Sequence, residues 1–344
     1  MTFLPKSISR LSLLLVTSFG LMACSSSNVA SEAQTAQYKQ AFIDKQLAAG
    51  YDKKTIDFFL SQGHYNQAVI NAITTPWEAK PWDQYYPIFL TQKRLDAGLT
   101  FWDEYQDTIE KAAEQYQVEP EIIVAIIGIE TFYGKIMGNY SVVDALYTLG
   151  FYYPPRADFF RSEFANLQDL TQEEHLDIKS LKGSYAGAMG YGQFIPSSYR
   201  HYAVDFDQDG RRDLLNSPID AIGSVANYFH QHGWQQGAPV AIQLEQTNNK
   251  PDNLNVWAGK KPEYQVLDFI PYLPSSSNSI QNNALNPALL IELEQASGNE
   301  YWLGFNNFYV ITRYNRSPLY AMAVYQFSQA LKDAHTHPDR GTNL

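Results

Sequence analysis

The sequence predicts an α+β fold that is mainly helical, and three observations lead to this prediction. Apolar residues recur every three to four positions over residues 38–117, which is typical of amphipathic helices. Residues 122–129 are apolar without interruption, which indicates a helix that is buried on all sides. Between residues 238 and 312 the pattern changes to short runs of branched and aromatic residues, which predict strands.

The composition is that of a folded, acidic protein. Of 344 residues, 45% are hydrophobic and 18% are charged, values that exclude a largely disordered or fibrous chain. The net charge of -11 argues against a nucleic-acid-binding surface, which needs clustered Lys and Arg. The 24 tyrosines predict either a binding surface for sugars, peptides or another protein, or additional core packing, and composition alone leaves both open.

Residues 1–23 predict an export signal that precedes a lipid attachment site. Lys6 and Arg10 stand before an apolar stretch, 11–22, that is too short to span a bilayer. The stretch ends at Cys24, the only cysteine, in a sequence that resembles the lipobox of bacterial lipoproteins. By that resemblance Cys24 is acylated and, since Ser25 is not Asp, the outer membrane facing the periplasm is favoured. The alternative is a buried N-terminal helix with an incidental thiol.

The remaining chain predicts a tether, one folded domain and a tail. Residues 24–37 are polar and without apolar period, so we expect a flexible tether. The domain covers residues 38–335, with a helical body at about 38–235 and 313–335 and a β-containing insert at about 238–312, before a polar tail at 336–344. The strand-like runs in the insert are 240–244, 289–293, 301–305 and 308–312.

Glu130 is the first candidate for chemistry. It ends the apolar helix predicted at 120–133, and Ile126 and Ile127 share its face of that helix. A carboxyl against apolar walls has a raised pKa and can act as a general acid near neutral pH. The alternative is a glutamate that turns to solvent or caps a neighbouring turn.

A glycine-rich segment at 183–199 is the second candidate. Its small residues allow a backbone to approach a ligand closely, while Ser184 and Gln193 supply polar groups and Met189 supplies apolar surface. It lacks the Lys-Ser or Lys-Thr of a phosphate-binding loop. The alternative is a segment whose small residues serve helix packing.

An acidic loop predicts a hard-cation site, with Ca²⁺ favoured over Mg²⁺. Asp205, Asp207 and Asp209 alternate before Gly210, and the carbonyl of Arg211 follows, as in the first half of an EF-hand loop. Position twelve of the loop is Asn rather than Glu, so Asp220 is the candidate for the closing carboxylate in a longer loop. An Asp-rich turn without an ion is the alternative.

Several segments together resemble the membrane-bound lytic murein transglycosylase B family, which are lipoproteins with a lysozyme-like core. The segments that carry the resemblance run from about residue 120 to 325, and their order makes the match specific. They are Ile126-Ile-Gly-Ile-Glu130-Thr-Phe-Tyr-Gly134, Ala186-Gly-Ala-Met-Gly-Tyr-Gly-Gln-Phe194, the Asp205 loop running into Asp220–Phe229, and Arg313-Tyr-Asn315 with Tyr320-Ala-Met-Ala-Val.

The resemblance implies cleavage of peptidoglycan between N-acetylmuramic acid and N-acetylglucosamine, giving 1,6-anhydromuramyl ends without water. Glu130 would be the only catalytic residue, acid first and base second. No organic cofactor is implied, and the acidic loop would bind a structural Ca²⁺. The residues implied to contact substrate are Ser184, Gln193, Tyr228, Tyr314, Asn315 and Tyr320, with Tyr85, Arg156 and Met189 as further candidates.

One departure from the family concerns substrate contacts. Pro155 and Arg156 stand where the family commonly has two arginines, so a contact with substrate carboxylates or peptide stems would be weaker there. Two other activities remain open from sequence. One is a hydrolytic muramidase that uses a second acid, for which Asp144, Asp158 and Glu163 are near in sequence. The other is a non-catalytic, calcium-stabilised lipoprotein that binds peptidoglycan.

Overall fold

The computed structural model describes residues 29–75, 80–245, 250–274 and 284–338, and these form a mainly helical fold with a small sheet, as predicted. Short 3-10 helices at Tyr86–Ile88, Pro154–Arg156 and Val266–Tyr272 supplement the α-helices. In chain order the α-helices are α1 Glu32–Ala48, α2 Lys53–Gln62, α3 Gln67–Ile73, α4 Trp82–Tyr85, α5 Gln92–Glu104, α6 Gln106–Tyr116, α7 Pro120–Thr131, α8 Val142–Tyr152, α9 Ala157–Glu173, α10 Pro196–Tyr202, α11 Pro218–Gln231, α12 Asn306–Tyr314 and α13 Pro318–Thr336.

The strands form two antiparallel sheets. The smaller sheet pairs β1 with β2, and the larger has the order β3-β6-β5-β4, so β5 and β6 lie at its centre. The strands are β1 Tyr140–Ser141, β2 Lys182–Gly183, β3 Ala241–Gln243, β4 Tyr264–Gln265, β5 Pro287–Leu293 and β6 Glu300–Gly304.

Helix α7 runs through the middle of the helical body. Pro120 occupies its first turn, where a missing N–H costs no hydrogen bond, and its residues from Glu121 to Ile129 are buried. Helices α5, α6, α11 and α13 all pack against it. Glu119, just before α7, accepts hydrogen bonds from Trp234 Nε1 at 2.6 Å and Gly237 N at 2.7 Å. The body therefore holds the C-terminal end of α7, and with it Glu130, in a fixed place.

Strand β5 connects the insert to the body because both of its faces are buried. Leu289, Ile291 and Leu293 pack into the core of the body. Ala288 and Leu290, on the opposite face, pack into a second core formed within the insert. This alternation explains why residues 288–291 of the strand are apolar without interruption.

Two predictions about secondary structure are corrected. Helix α1 begins at Glu32 with a capping box at Ser31, so residues 32–37 of the predicted tether are helical. The run 308–312, predicted as a strand, lies in α12, because Phe308, Ile311 and Thr312 bury one helical face. Within the described residues, none of the helices combines the length and apolarity needed to cross a bilayer.

Candidate active site

Glu130 occupies the last turn of α7, partly buried and held by a second side chain. The hydroxyl of Tyr320, at the start of α13, donates a hydrogen bond of 2.5 Å to Glu130 Oε1. Burial disfavours the carboxylate and raises the pKa of Glu130 from 4.5 to about 7, while the hydrogen bond from Tyr320 favours the carboxylate. The group can therefore both release and accept a proton near neutral pH.

The backbone directly after α7 adopts a conformation that side chains rarely take. Phe132 and Tyr133 have φ values of 51° and 59°, and Gly134 follows at 82°. The Thr131 hydroxyl donates to the carbonyl of Tyr191 at 2.9 Å and accepts from Gly134 N at 3.0 Å. Strained backbone of this kind clusters at functional sites. Sequence reasoning missed this turn, for which Gly134 was the one available signal.

The glycine-rich segment folds into tight turns beside this turn. A Cβ at Gly190, where φ is 70°, would lie 2.1 Å from the carbonyl oxygen of Leu214, so glycine is required there. The Ser184 hydroxyl accepts from two backbone N–H groups of its own turn. Gln193 Nε2 donates to the carbonyls of Met137 at 3.1 Å and Gly190 at 3.0 Å. Both predicted polar groups are partly buried and contact the loop backbone.

Met189 does not reach the surface in this structure. Its exposed fraction is 0%, and its backbone pairs with Phe194 in an isolated antiparallel bridge. Met189 therefore packs in the core and presents no exposed apolar surface for the predicted contact with a ligand.

Tyr228 and Tyr314 pack against each other, and Tyr314 lies near Glu130. Their ring centroids are 4.7 Å apart at an interplanar angle of 65°. The Tyr228 hydroxyl donates to the carbonyl of Arg313 at 2.6 Å, and that of Tyr314 donates to the carbonyl of Gly192. Burial and the nearby Glu130 raise the pKa of Tyr314. These tyrosines build the wall of the site, and their hydroxyls are engaged by backbone.

Three other predicted contact residues have different surroundings. Tyr85 is buried at 5% exposure, and its ring packs against that of Phe89 at 5.2 Å. Asn315 is partly buried in the turn between α12 and α13, where its Oδ1 accepts from Ser317 N at 3.1 Å. The exposed guanidinium of Arg156 lies over the rings of Phe159 and Phe160, at 4.5 and 5.1 Å from their centroids.

The acidic loop brings three of its predicted ligands together. Carboxylate oxygens of Asp205, Asp207 and Asp209 lie within 4.8 Å of one another. Asp209 N and Gly210 N donate to the carboxylate of Asp205 at 3.0 and 2.9 Å, which curls the loop around this cluster. Arg211 follows at the predicted carbonyl position, and its N–H donates to Asp209 at 2.9 Å.

Asp220 has a different place from the predicted closing ligand. It is 1% exposed at the start of α11 and lies outside the three-carboxylate cluster. Its two oxygens accept from Phe206 N and Asp213 N, each at 2.7 Å. Because these donors lie near opposite ends of the loop, Asp220 holds the loop closed through the backbone. Cys24, the predicted lipid attachment site, lies outside the described residues.

The chain is similar to known proteins over most of its length. The chain matches the family described as Transglycosylase SLT domain over residues 34–329. It is 41% identical over 304 residues to membrane-bound lytic murein transglycosylase B of Escherichia coli strain K12, covering 85% of this chain and 82% of that protein.

Solved structures are similar over most of the chain. Soluble lytic transglycosylase SltB1 of Pseudomonas aeruginosa superposes with a TM-score of 0.76 at 40% identity, covering 87% of this chain and 99% of that one. The Escherichia coli lytic transglycosylase Slt35 in complex with calcium gives a TM-score of 0.71 at 39% identity, covering 87% and 94%.

Proposed function

This chain belongs to the transglycosylase SLT domain family, and we propose that Glu130 alone performs both proton transfers of its reaction. The chain is a lytic transglycosylase that acts on peptidoglycan, as its family and relatives show. In the mechanism that we propose, the enzyme cleaves the β-1,4 bond between N-acetylmuramic acid and N-acetylglucosamine without hydrolysis.

The reaction requires one group that changes its protonation state twice. Protonated Glu130 gives its proton to the glycosidic oxygen as the bond from that oxygen to the muramyl anomeric carbon breaks. The resulting carboxylate then accepts the proton of the muramyl 6-hydroxyl, whose oxygen bonds to the anomeric carbon. The product is a 1,6-anhydromuramyl end, no water is consumed, and Glu130 regains its starting state.

A nucleophile from the same sugar makes a single carboxyl sufficient. Glycosidases that use water or an enzyme nucleophile need two carboxylates. An intramolecular hydroxyl has an effective concentration of roughly 10⁵ M or more, so no second group is needed to position it. The observation that carries the proposal is the partly buried Glu130, with its pKa raised to about 7.

The surroundings of Glu130 favour this mechanism over a two-carboxylate muramidase. Among the described residues, no second carboxylate contributes to the shifted pKa of Glu130. The sequence candidates are engaged elsewhere. Asp144 accepts from His64 N at 2.8 Å, Asp158 pairs with Arg161 at the surface, and buried Glu163 accepts from Ser197 N at 2.9 Å.

Product analysis tests the mechanism. Wild-type protein and the Glu130→Gln variant are incubated with purified peptidoglycan, and the released fragments are identified by mass spectrometry. We expect anhydromuramyl ends from the wild type and their loss in the variant. Reducing muramyl ends would instead identify a hydrolytic muramidase. Binding of both proteins without any fragments would identify a peptidoglycan-binding lipoprotein.

We further propose that the acidic loop binds Ca²⁺ through Asp205, Asp207, Asp209 and the Arg211 carbonyl. The donor set fits, because hard oxygen ligands suit Ca²⁺ and three carboxylates this close repel one another without a cation. The calcium complex of Slt35 supports the same choice of ion. The ion would stabilise the loop before α11. It would take no part in the proton transfers, which we assign to the Glu130 carboxyl.

The N-terminus supports a proposal about location. We propose that Cys24 is acylated after removal of residues 1–23 and anchors the protein to the outer membrane, facing the periplasm. A relative named as membrane-bound supports the anchor. Labelled fatty acid should be incorporated into the wild type and not into Cys24→Ser, which should leave the membrane fraction. Equal labelling of both proteins would refute the anchor.

A further inference from the structure

A cationic cluster, formed by Lys93, Arg94 and Lys135, surrounds the ring of Phe132 just after the catalytic helix. Lys93 Nζ lies 5.8 Å from the ring centroid, Lys135 Nζ 5.3 Å and the Arg94 guanidinium carbon 5.3 Å. Both lysines are exposed, and Phe132 is partly exposed. Three positive charges therefore converge on one accessible ring, two residues beyond Glu130.

No carboxylate neutralises the cationic cluster within the described parts of the chain. The ion pairs there join other lysines, arginines and histidines to acids. Arg94 donates instead to the carbonyls of Ile88 at 2.8 Å and Phe89 at 2.7 Å, and its buried Nε has no hydrogen-bond partner. In a protein of net charge -11, an uncompensated positive cluster favours an anion from outside.

The cationic cluster lies close to Glu130 along the chain, and Arg94 packs against aromatic side chains that lead toward Tyr85. The Arg94 guanidinium lies 5.4 Å from the ring centroid of Phe89, and that ring lies 5.2 Å from the ring of Tyr85. The pKa of Tyr320, which donates to Glu130, is raised chiefly by burial and by Glu130, with a smaller effect of Tyr85. Because Phe132 follows Glu130 by two residues, a span of about 7 Å at most, and is partly exposed, the cationic cluster lies within reach of a substrate bound at Glu130.

We propose that the cationic cluster binds a carboxylate of the peptide stem that the muramyl sugar carries. The inference rests on the proposed function, because that function places a muramyl anomeric carbon beside Glu130. The stem branches from the lactyl group of the same sugar, and its carboxylates are ionised at neutral pH. Arg156, the other candidate for such a contact, has its exposed guanidinium over the rings of Phe159 and Phe160.

The test compares two substrates that differ only in the stems. One is uncross-linked glycan with intact stems, and the other is the same glycan after an amidase has removed them. The variant is Lys93→Gln/Lys135→Gln, because Arg94 also supports backbone and its loss could impair folding. The matched control is Lys53→Gln/Lys54→Gln, which removes two exposed charges from α2.

We expect the KM of the variant to exceed that of the wild type by about fivefold on stem-bearing glycan, the effect of roughly 1 kcal/mol from two exposed charge contacts. On stripped glycan the KM ratio should fall toward one, and the control should match the wild type on both. The wild-type KM on stem-bearing glycan should also rise more steeply with salt than that of the variant.

Three outcomes have distinct meanings. A variant indistinguishable from the control on stem-bearing glycan would overturn stem binding, even with normal anhydromuramyl products. An equal KM increase on both substrates would also overturn it, since the charges would then act on the glycan itself. Absence of anhydromuramyl products from the wild type would refute the proposed function separately.

Discussion

Replacing Glu130 by glutamine should stabilise the folded protein at pH 8 and change its stability little at pH 4. The pKa of this carboxyl is about 7 in the folded protein and 4.5 as the unperturbed value. At pH 4 the group is protonated in both the folded and the unfolded state, so its burial carries no electrostatic cost. At pH 8 it is ionised in both, and the unfolded state solvates the charge better.

The expected magnitude follows from the size of the pKa shift. A shift of one unit corresponds to about 1.4 kcal/mol, so raising the pKa from 4.5 to about 7 lowers the free energy of unfolding by roughly 3 kcal/mol at high pH. This loss develops as the pH rises from 4.5 to about 7 and is complete above that range. Glutamine is neutral throughout, and its amide oxygen can still accept from Tyr320.

Urea unfolding at several pH values between 4 and 8 measures this directly. The free energy of unfolding of the variant should gain on that of the wild type with rising pH, by roughly 3 kcal/mol at pH 8. Glu114→Gln, at an exposed position of α6, is the matched control for loss of one negative charge. A stability difference that does not depend on pH would refute the reasoning, as would a variant less stable at pH 8.

The other predictions concern the groups around Glu130 and the acidic loop. Tyr320→Phe removes the hydrogen bond that favours the Glu130 carboxylate, worth about 1.5–3 kcal/mol, and so raises the pKa of Glu130. The pH at which kcat/KM falls on the alkaline side should therefore increase by about one to two pH units. An unchanged pH profile would contradict this. EDTA should lower the Tm of the wild type and Ca²⁺ should restore it, because Ca²⁺ at a hundredfold excess over Kd adds about 2.7 kcal/mol to the free energy of unfolding. Asp209→Asn should not respond, and equal EDTA responses in both proteins would argue against the site. Gly134→Ala should cost about 1–3 kcal/mol in urea unfolding, because a Cβ would lie 2.2 Å from the Tyr191 ring at a φ of 82°, and unchanged stability would contradict the turn geometry.

The sequence was sufficient for the features that local pattern determines. An unbroken apolar run predicts a buried helix, and α7 is one; Glu130 at its end is therefore predictable as a shielded carboxyl. The alternating aspartates predict a turn that gathers carboxylates, and the structure gathers Asp205, Asp207 and Asp209. The shielded carboxyl and the carboxylate cluster each depend on the geometry of one helix or one loop, so each could be predicted from a local pattern in the sequence.

Features that depend on distant segments were not predictable in this way. The hydroxyls of Tyr228 and Tyr314 look available in sequence, but Tyr314 meets the carbonyl of Gly192, 122 residues away. In the cationic cluster, Lys93 of α5 and Lys135 in the turn after α7 lie beside the same ring, and no local pattern in the sequence pairs them. The run 308–312 has strand-like composition, yet tertiary burial of a helical face decides its structure.

Strand β5 has a consequence for anyone seeking a minimal version of this enzyme. Leu289, Ile291 and Leu293 complete the core of the helical body, while Ala288 and Leu290 complete the core of the insert. Removing the insert would thus leave a cavity in the core of the body, and transferring the insert to another protein would expose the apolar face of β5. The two parts are inseparable as engineering modules, and sequence change is tolerated best in the loops between the strands.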